Sequence, residues 1–181
     1  TTVLDSVGVS VFATASKINI DISKSDNYKL DNKNEAIYSL DGKTLVMAVP
    51  SGLKSTFTVP AAVTTIADGA FSSLLILRTV NFESGSQLTS IGDCAFSDCK
   101  LLGAVLLPSR EITIGDYAFS GTEILETIDL SHVKSVGEFA FAYSGLGSAQ
   151  LTTDGVNLGS GAFYNTPALE SVPLGKDAII G

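Results

Sequence analysis

The chain is poor in the residues that build most catalytic and metal centres. It has one histidine, His132, and two cysteines, Cys94 and Cys99, in 181 residues. Two cysteines are too few for a disulfide framework and lack the companions that a zinc site needs. Charged residues make up only 17%, and positive charge is in deficit, with 11 Lys+Arg against 19 Asp+Glu and a formal charge of -8. Such a balance repels nucleic acid and anionic membranes and favours basic partners. No apolar run reaches the roughly 18 residues that would span a bilayer, and the start of the chain lacks the basic residues of a secretory signal. There is no initiator Met, and the chain enters partway into a repeat. We therefore expect a piece of a longer protein whose targeting segment lies outside it. Acceptors for N-glycans are also missing, since Asn165-Thr166-Pro167 fails the required pattern.

What is present is periodicity. Ala-Phe recurs at Ala70-Phe71, Ala95-Phe96, Ala118-Phe119, Ala140-Phe141 and Ala162-Phe163, with Phe spacings of 25, 23, 22 and 22. Four of these pairs close the phrases Ile91-Gly92-Asp93-Cys94-Ala95-Phe96, Ile114-Gly115-Asp116-Tyr117-Ala118-Phe119, Val136-Gly137-Glu138-Phe139-Ala140-Phe141 and Leu158-Gly159-Ser160-Gly161-Ala162-Phe163. A degenerate copy runs from Val7 to Phe12, and Ile180-Gly181 looks like the same phrase cut short, so the array is expected to continue past residue 181. After each Ala-Phe comes Leu-x-x-Val-x-Leu, as in Leu102, Val105, Leu107 and in Leu125, Ile128, Leu130. Its alternating end reads as a short strand.

One strand per repeat of 20 to 29 residues is the leucine-rich-repeat pattern. The expected fold is a repeat solenoid: a right-handed coil with a parallel β-sheet on its concave face, little helix and one inserted β-hairpin. One repeat cannot bury its own apolar face, so repeats must stack. The phenylalanines should form a buried ladder, each contributing about 1.5–3 kcal/mol. The recurrent glycines mark sharp bends or close approach to another backbone.

Residues 1–20 read as a degenerate first repeat, 21–52 as an inserted hairpin segment and 53–181 as about five repeats, the last cut short, in one continuous domain. The hairpin is expected in Ala36-Ile37-Tyr38-Ser39-Leu40-Asp41-Gly42-Lys43-Thr44-Leu45-Val46-Met47, where two β-like runs flank an Asp-Gly turn signal.

These phrases resemble the BspA-like, or Treponema pallidum-type, leucine-rich repeats, well over residues 57 to 181 and weakly over 1 to 20. That family often carries Cys three residues after the Phe. Cys99 occupies the position here, with Leu74, Thr122, Ser144 and Thr166 as its equivalents, so the column has drifted toward hydroxyls that can bond local backbone. The Tyr-Ser-x-Asp-Gly-Lys-Thr-Leu hairpin is also similar to interruptions in such proteins. The resemblance implies an extracellular or cell-surface protein, in bacteria or protists, that adheres to host or extracellular-matrix proteins. Ligands vary widely within the family, so the resemblance transfers fold more firmly than partner.

Candidate chemistry is sparse. His132 follows a strand phrase with Asp129 nearby, but no nucleophile recurs beside it, and a solvated turn histidine is the favoured reading. Cys94 and Cys99 could form a local disulfide, although free thiols fit better because Cys99 lies in a core-facing column. Asp21, Asp26, Asp31 and Asp41 lack the alternation and terminal Glu of a calcium loop. Gly145-Leu146-Gly147 and Gly159-Ser160-Gly161 lack the third glycine of a dinucleotide site. No catalytic, cofactor-binding or metal-binding residue is assigned.

A partner surface is expected instead, on the residues that alternate with the core positions of the strand phrases: Thr79, Asn81, Leu106, Thr127, Asp129, Ser148 and Gln150. A rival lies in the hairpin around Tyr38 and Met47, since interruptions of a solenoid map to loops on one face. The functional expectation is a noncatalytic protein-binding module. A structural, self-associating surface protein is the alternative.

Overall fold

The computed structural model describes Ile22 and residues 25–181. The degenerate repeat expected over residues 1–20, and Asp21, lie outside them. Among the described residues the regular structure is all short strand, with no helix. β1 (Tyr28–Leu30), β2 (Ala36–Ser39) and β3 (Thr44–Ala48) are antiparallel neighbours. The chain then coils through β4 (Thr56–Val59), β5 (Thr65–Ile66), β6 (Thr79–Phe82), β7 (Ser90–Ile91), β8 (Ala104–Val105), β9 (Ile112–Ile114), β10 (Val133–Val136), β11 (Asn157–Leu158) and β12 (Ile179–Ile180). All are paired in parallel, β5 against β3 included, and two sheets result, one of nine strands in the order β1-β2-β3-β5-β7-β9-β10-β11-β12 and one of three in the order β4-β6-β8. The result is a β-solenoid.

The long sheet does not lie where the sequence placed its strands. It is built from the residues leading into the Ile-Gly phrase, whereas the Leu-x-x-Val-x-Leu phrase supplies only β6, β8 and, further on, the isolated bridge Leu151 to Leu174. Hydrogen bonding explains the choice. The Ile-Gly ladder runs on through every glycine, with Gly92, Gly115, Gly137 and Gly159 donating to Ile66, Ile91, Ile114 and Val136 of the preceding coil at 2.7–2.8 Å. The Leu phrase pairs over shorter runs, with Leu106 donating to Val80 O at 3.0 Å and Leu151 to Pro173 O at 3.0 Å, and Pro108 and Pro173 have no N–H to add to it. Alternation within that phrase nevertheless holds in the inner copies, where Val80, Val105, Ile128, Leu130, Ala149 and Leu151 are buried, whereas in the last copy Leu169 and Val172 are half-buried and Leu174 is exposed.

The glycines are there for close approach. A Cβ added at Gly92, Gly115, Gly137 or Gly159 would stand 2.5–2.8 Å from the backbone nitrogen of Asp68, Asp93, Asp116 or Glu138, and none of the four has a positive φ. The acidic residue at the next position of the phrase completes the contact. Asp68, Asp93 and Asp116 each accept, on Oδ1, the backbone N–H of Asp93, Asp116 and Glu138 one coil onward, at 2.7–2.9 Å. Hydrogen bonds to an ionised acceptor are the stronger kind.

The expected phenylalanine ladder is present. Phe71, Phe96, Phe119 and Phe141 are fully buried, with ring centroids 4.8, 5.0 and 5.1 Å apart and planes within 10°. Phe57 caps the ladder edge-on at 5.2 Å, and Phe163, partly buried, extends it at 5.6 Å.

Beside it runs the column of Leu74, Cys99, Thr122, Ser144 and Thr166. Thr122 and Thr166 donate their hydroxyls to the carbonyls of Phe119 and Phe163, both at 2.7 Å. Cys99 donates its thiol to the Phe71 carbonyl at 2.9 Å, and burial pushes that thiol up to about 12. Both cysteines are free, Cys99 buried and Cys94 half-buried. Ser144 differs, because its buried Oγ has no partner. Ser144→Ala should therefore be neutral or stabilise by up to about 1 kcal/mol, whereas Thr122→Val should destabilise by about 1 kcal/mol. Denaturant midpoints check this, and equal losses in both variants would mean that the Ser144 hydroxyl is bonded.

The hairpin forms as its Asp-Gly signal indicated. Gly42, at φ 74°, donates to Ser39 O, and Asp41 accepts from the Ser39 hydroxyl at 2.6 Å. It does not stand apart from the coil, because β3 pairs in parallel with β5 and extends the long sheet. Ala36 and Tyr38 face the main core, while Ile37, Met47 and Val49 form a second small cluster with Tyr28 and Leu30. Apolar burial on both faces makes this unit part of the core. Tyr38 and Met47, expected as a rival contact site, are each only 6% exposed. Their rings and chains fill the core and are unavailable to a partner, which corrects that expectation. Asp31 and Asp41 likewise bind turn groups, Asp31 accepting the N–H of Glu35 at 2.7 Å.

Candidate functional site

The short sheet ends at β8, and the next copy of its phrase, residues 127–130, is not hydrogen-bonded into it. An open depression of about 640 Å³ lies where the pairing stops. It is lined by residues 104–107, Thr127, Ile128, Asp129, Ser131, Ser148 and Gln150. Five of the expected contact residues, Leu106, Thr127, Asp129, Ser148 and Gln150, are thus brought together on one surface. Thr79 and Asn81 sit on β6, half-exposed, outside the lining. Tyr38 belongs to the core.

The depression carries an apolar centre with polar sides. Leu106 is 64% exposed, among the most exposed large apolar side chains of the described residues. Asp129 is fixed by the backbone N–H of Ser131, which it accepts at 2.9 Å. Hydrogen bonds from the Ser131 hydroxyl and N–H, helped by nearby His132, hold its carboxyl below the usual carboxylate range. The Ser131 hydroxyl also meets His132 Nδ1 at 3.0 Å. This is not the arrangement of a nucleophile activated by an oriented base, in which the carboxylate holds Nδ1 and the nucleophile faces Nε2. Here the carboxylate holds the serine and leaves the imidazole exposed. The three residues shape and charge a surface.

A second depression, of about 480 Å³, was not anticipated from sequence. Thr89, Arg110, Glu111, Ile112, Thr113 and Lys134 line it. Arg110 donates to Ser86 O and Gln87 Oε1, both at 3.0 Å, and Lys134 pairs with Glu111 at 3.3 Å, so its charges are satisfied internally. Neither Arg110 nor Lys134 recurs between repeats, and periodicity gave no signal for them.

Also missed was an aromatic group on the turns. Each coil passes twice through the left-handed region, first at Gly69, Cys94, Tyr117, Phe139 and Gly161, then four residues later at Ser73, Asp98, Gly121, Tyr143 and Asn165. Gly, Asn and Asp suit such backbone, but bulky side chains there cost about 1–2 kcal/mol each. Three aromatic residues nevertheless hold these positions, at φ 56°, 52° and 58°. With Tyr164 they form a connected set of rings: Tyr117 stacks on Phe139 at 5.3 Å, Phe139 meets Tyr164 edge-on at 5.9 Å, and Tyr164 meets Tyr143 edge-on at 5.6 Å. The three tyrosines are 43–54% exposed. Tyr117 and Phe139 are visible in the sequence as departures from glycine in their column, which is the signal that could have found them.

Among the described residues, no group of three or more His, Cys, Asp or Glu is placed to hold a metal ion, and no helix is long and apolar enough to cross a membrane.

In fold the chain is similar to a leucine-rich cell surface protein from Faecalibacterium prausnitzii A2-165, with TM-score 0.67 and 23% identity over 83% of this chain and 40% of that one. A leucine-rich repeat protein from Bacteroides ovatus gives TM-score 0.61 and 23% identity over 87% of this chain and 41% of that one. The leucine-rich repeat protein of T. pallidum gives TM-score 0.61 and 25% identity over 85% and 71%. The chain therefore spans about two fifths of the length of the first two. No curated protein matches it significantly. The model of the BspA-type leucine-rich repeat region matches residues 64–180 in six copies. Together with the stacked phenylalanines and the glycine contacts between coils, that match places the chain in the BspA-type leucine-rich-repeat family.

Proposed function

We infer that this chain is a noncatalytic protein-binding module of a cell-surface or secreted protein, contacting a host or extracellular-matrix protein through the depression around Leu106 and Asp129. Repeat arrays of this family serve generally as protein-interaction modules, and solenoid faces are a common binding surface. The observation that carries the reading is the exposed Leu106, set among Thr127, Asp129, Ser148 and Gln150 where the short sheet stops pairing. An apolar anchor ringed by hydrogen-bonding groups is the anatomy of a protein interface. Surface location is supported by the description of the Faecalibacterium neighbour as a cell surface protein.

The test is binding to immobilised extracellular-matrix and plasma proteins, comparing the native chain with the triple variant Leu106→Ala, Asp129→Asn, Gln150→Ala. All three side chains are solvent-facing, so folding should be kept. Saturable binding weakened at least about tenfold, or about 1.4 kcal/mol, is expected. Binding indifferent to the variant, or no binding to any of these proteins, would sink the assignment.

A further inference from the structure

The aromatic group on the turns lies outside the depression and asks for its own explanation. The stack of coils does not require it, because Gly69 and Gly161 fill the same column without a side chain. Gly161 in fact makes room for it: a Cβ there would stand 2.6 Å from the Phe139 ring. Four connected rings therefore stand on left-handed backbone or beside it, and three of them are open to solvent. The left-handed turns are common to every coil, so what is particular here is bulky exposed rings where glycine or asparagine would be unstrained, and that points to use of those side chains.

Charge identifies the kind of partner. Between residues 115 and 166, Glu123 is paired with Lys100, the carboxylates outside the depression, Asp116, Glu126, Glu138 and Asp154, make no ion pair among the described residues, and the single lysine is Lys134. That lysine is paired with Glu111. Asp116 and Glu138 directly precede Tyr117 and Phe139, so the rings stand in a field of negative charge. Aromatic ring faces attract cations, and arginine stacks on them most readily. A second copy of this chain would bring its own charge of -8 against the same surface. An uncharged sugar would draw only hydrogen bonds from the carboxylates, whereas a cation also gains their charge.

We propose that Tyr117, Tyr143 and Tyr164, held together by the Phe139 ring packed between Tyr117 and Gly161, form a docking platform for an arginine-bearing segment of a partner protein, its guanidinium groups lying over the exposed tyrosine rings. This surface shares no residue with the depression around Leu106, so the two sites fail or succeed separately.

The probe is a nine-residue peptide of alternating glycine and arginine, compared with the same peptide carrying citrulline, which keeps the shape of arginine and removes its charge. Titration calorimetry on the whole chain would compare the native protein with Tyr117→Phe and with the double variant Tyr117→Gly, Tyr143→Asn. Glycine and asparagine occupy the equivalent positions in other coils, so the melting temperature of the double variant should be unchanged or higher. The arginine peptide should bind saturably to native protein and to Tyr117→Phe, at least tenfold more weakly to the double variant, and the citrulline peptide at least tenfold more weakly to all. Absence of binding overturns the proposal. So does equal binding by the double variant, which would mean attraction to net charge alone, and so does equal binding of the citrulline peptide. The Leu106, Asp129, Gln150 triple variant should bind the arginine peptide as the native chain does.

Discussion

Phe119→Ala should destabilise the protein by about 3–5 kcal/mol, the loss expected of a fully buried ring stacked on both sides. Phe119 sits at mid-stack, fully buried, with Phe96 at 5.0 Å and Phe141 at 5.1 Å on its two sides. Removing the ring deletes both contacts and opens a cavity that neighbouring coils cannot close, since the glycine-to-backbone contacts already hold them at minimum separation. Position in the stack sets a gradient. Phe163, at 5.6 Å from Phe141 and only partly buried, has less to lose, and Phe163→Ala should be milder. Ile128→Leu, a change of shape at nearly constant volume, should remain under about 1.5 kcal/mol. Urea unfolding of the three variants orders them, and a Phe119→Ala loss no greater than that of Ile128→Leu would refute the ladder.

The ladder was legible because repetition multiplies a weak signal. One Ala-Phe pair says little, but five at spacings of 22 to 25 fix a coil length and hence which residues stack. Inward and outward positions were legible too, since alternation is a property of extended backbone whether or not a sheet forms. Val80, Val105, Ile128 and Ala149 are buried, and Leu106, Thr127, Asp129 and Gln150 are exposed. Which phrase carries the long sheet was not legible. That depends on which phrase lets the backbones of adjacent coils close to hydrogen-bonding distance, and a glycine reads as a bend just as well as an approach. Tyr38 was misplaced for a related reason: a hairpin outside the repeat period looks like an appendage until its second strand is seen to pair with β5. The rings of Tyr117 and Phe139 were passed over because attention to a repeat favours what recurs, whereas a binding surface is made of what does not.

Gly137→Ala tests the other half of the architecture, and its expected cost is about 3 kcal/mol or more although it adds only one methyl group. Gly137 has no positive φ, so its backbone conformation alone does not demand glycine. A Cβ there would stand 2.5 Å from Asp116 N and 2.5 Å from Gly115 C, both backbone atoms, which cannot swing aside as a side chain could. To admit the methyl group the two coils must part. That movement lengthens Gly137 N–H to Ile114 O, now 2.8 Å, and Glu138 N–H to Asp116 Oδ1, now 2.7 Å, so steric and hydrogen-bond losses add. Gly155→Ala is the matched control. Its φ is 69°, which disfavours alanine, yet no atom lies within 4 Å of the added Cβ. The loss there should be about 1 kcal/mol, from backbone conformation alone. If urea unfolding gave the two substitutions equal losses, contact between coils would not be what Gly137 supplies, and Gly92, Gly115 and Gly159 would need the same reinterpretation.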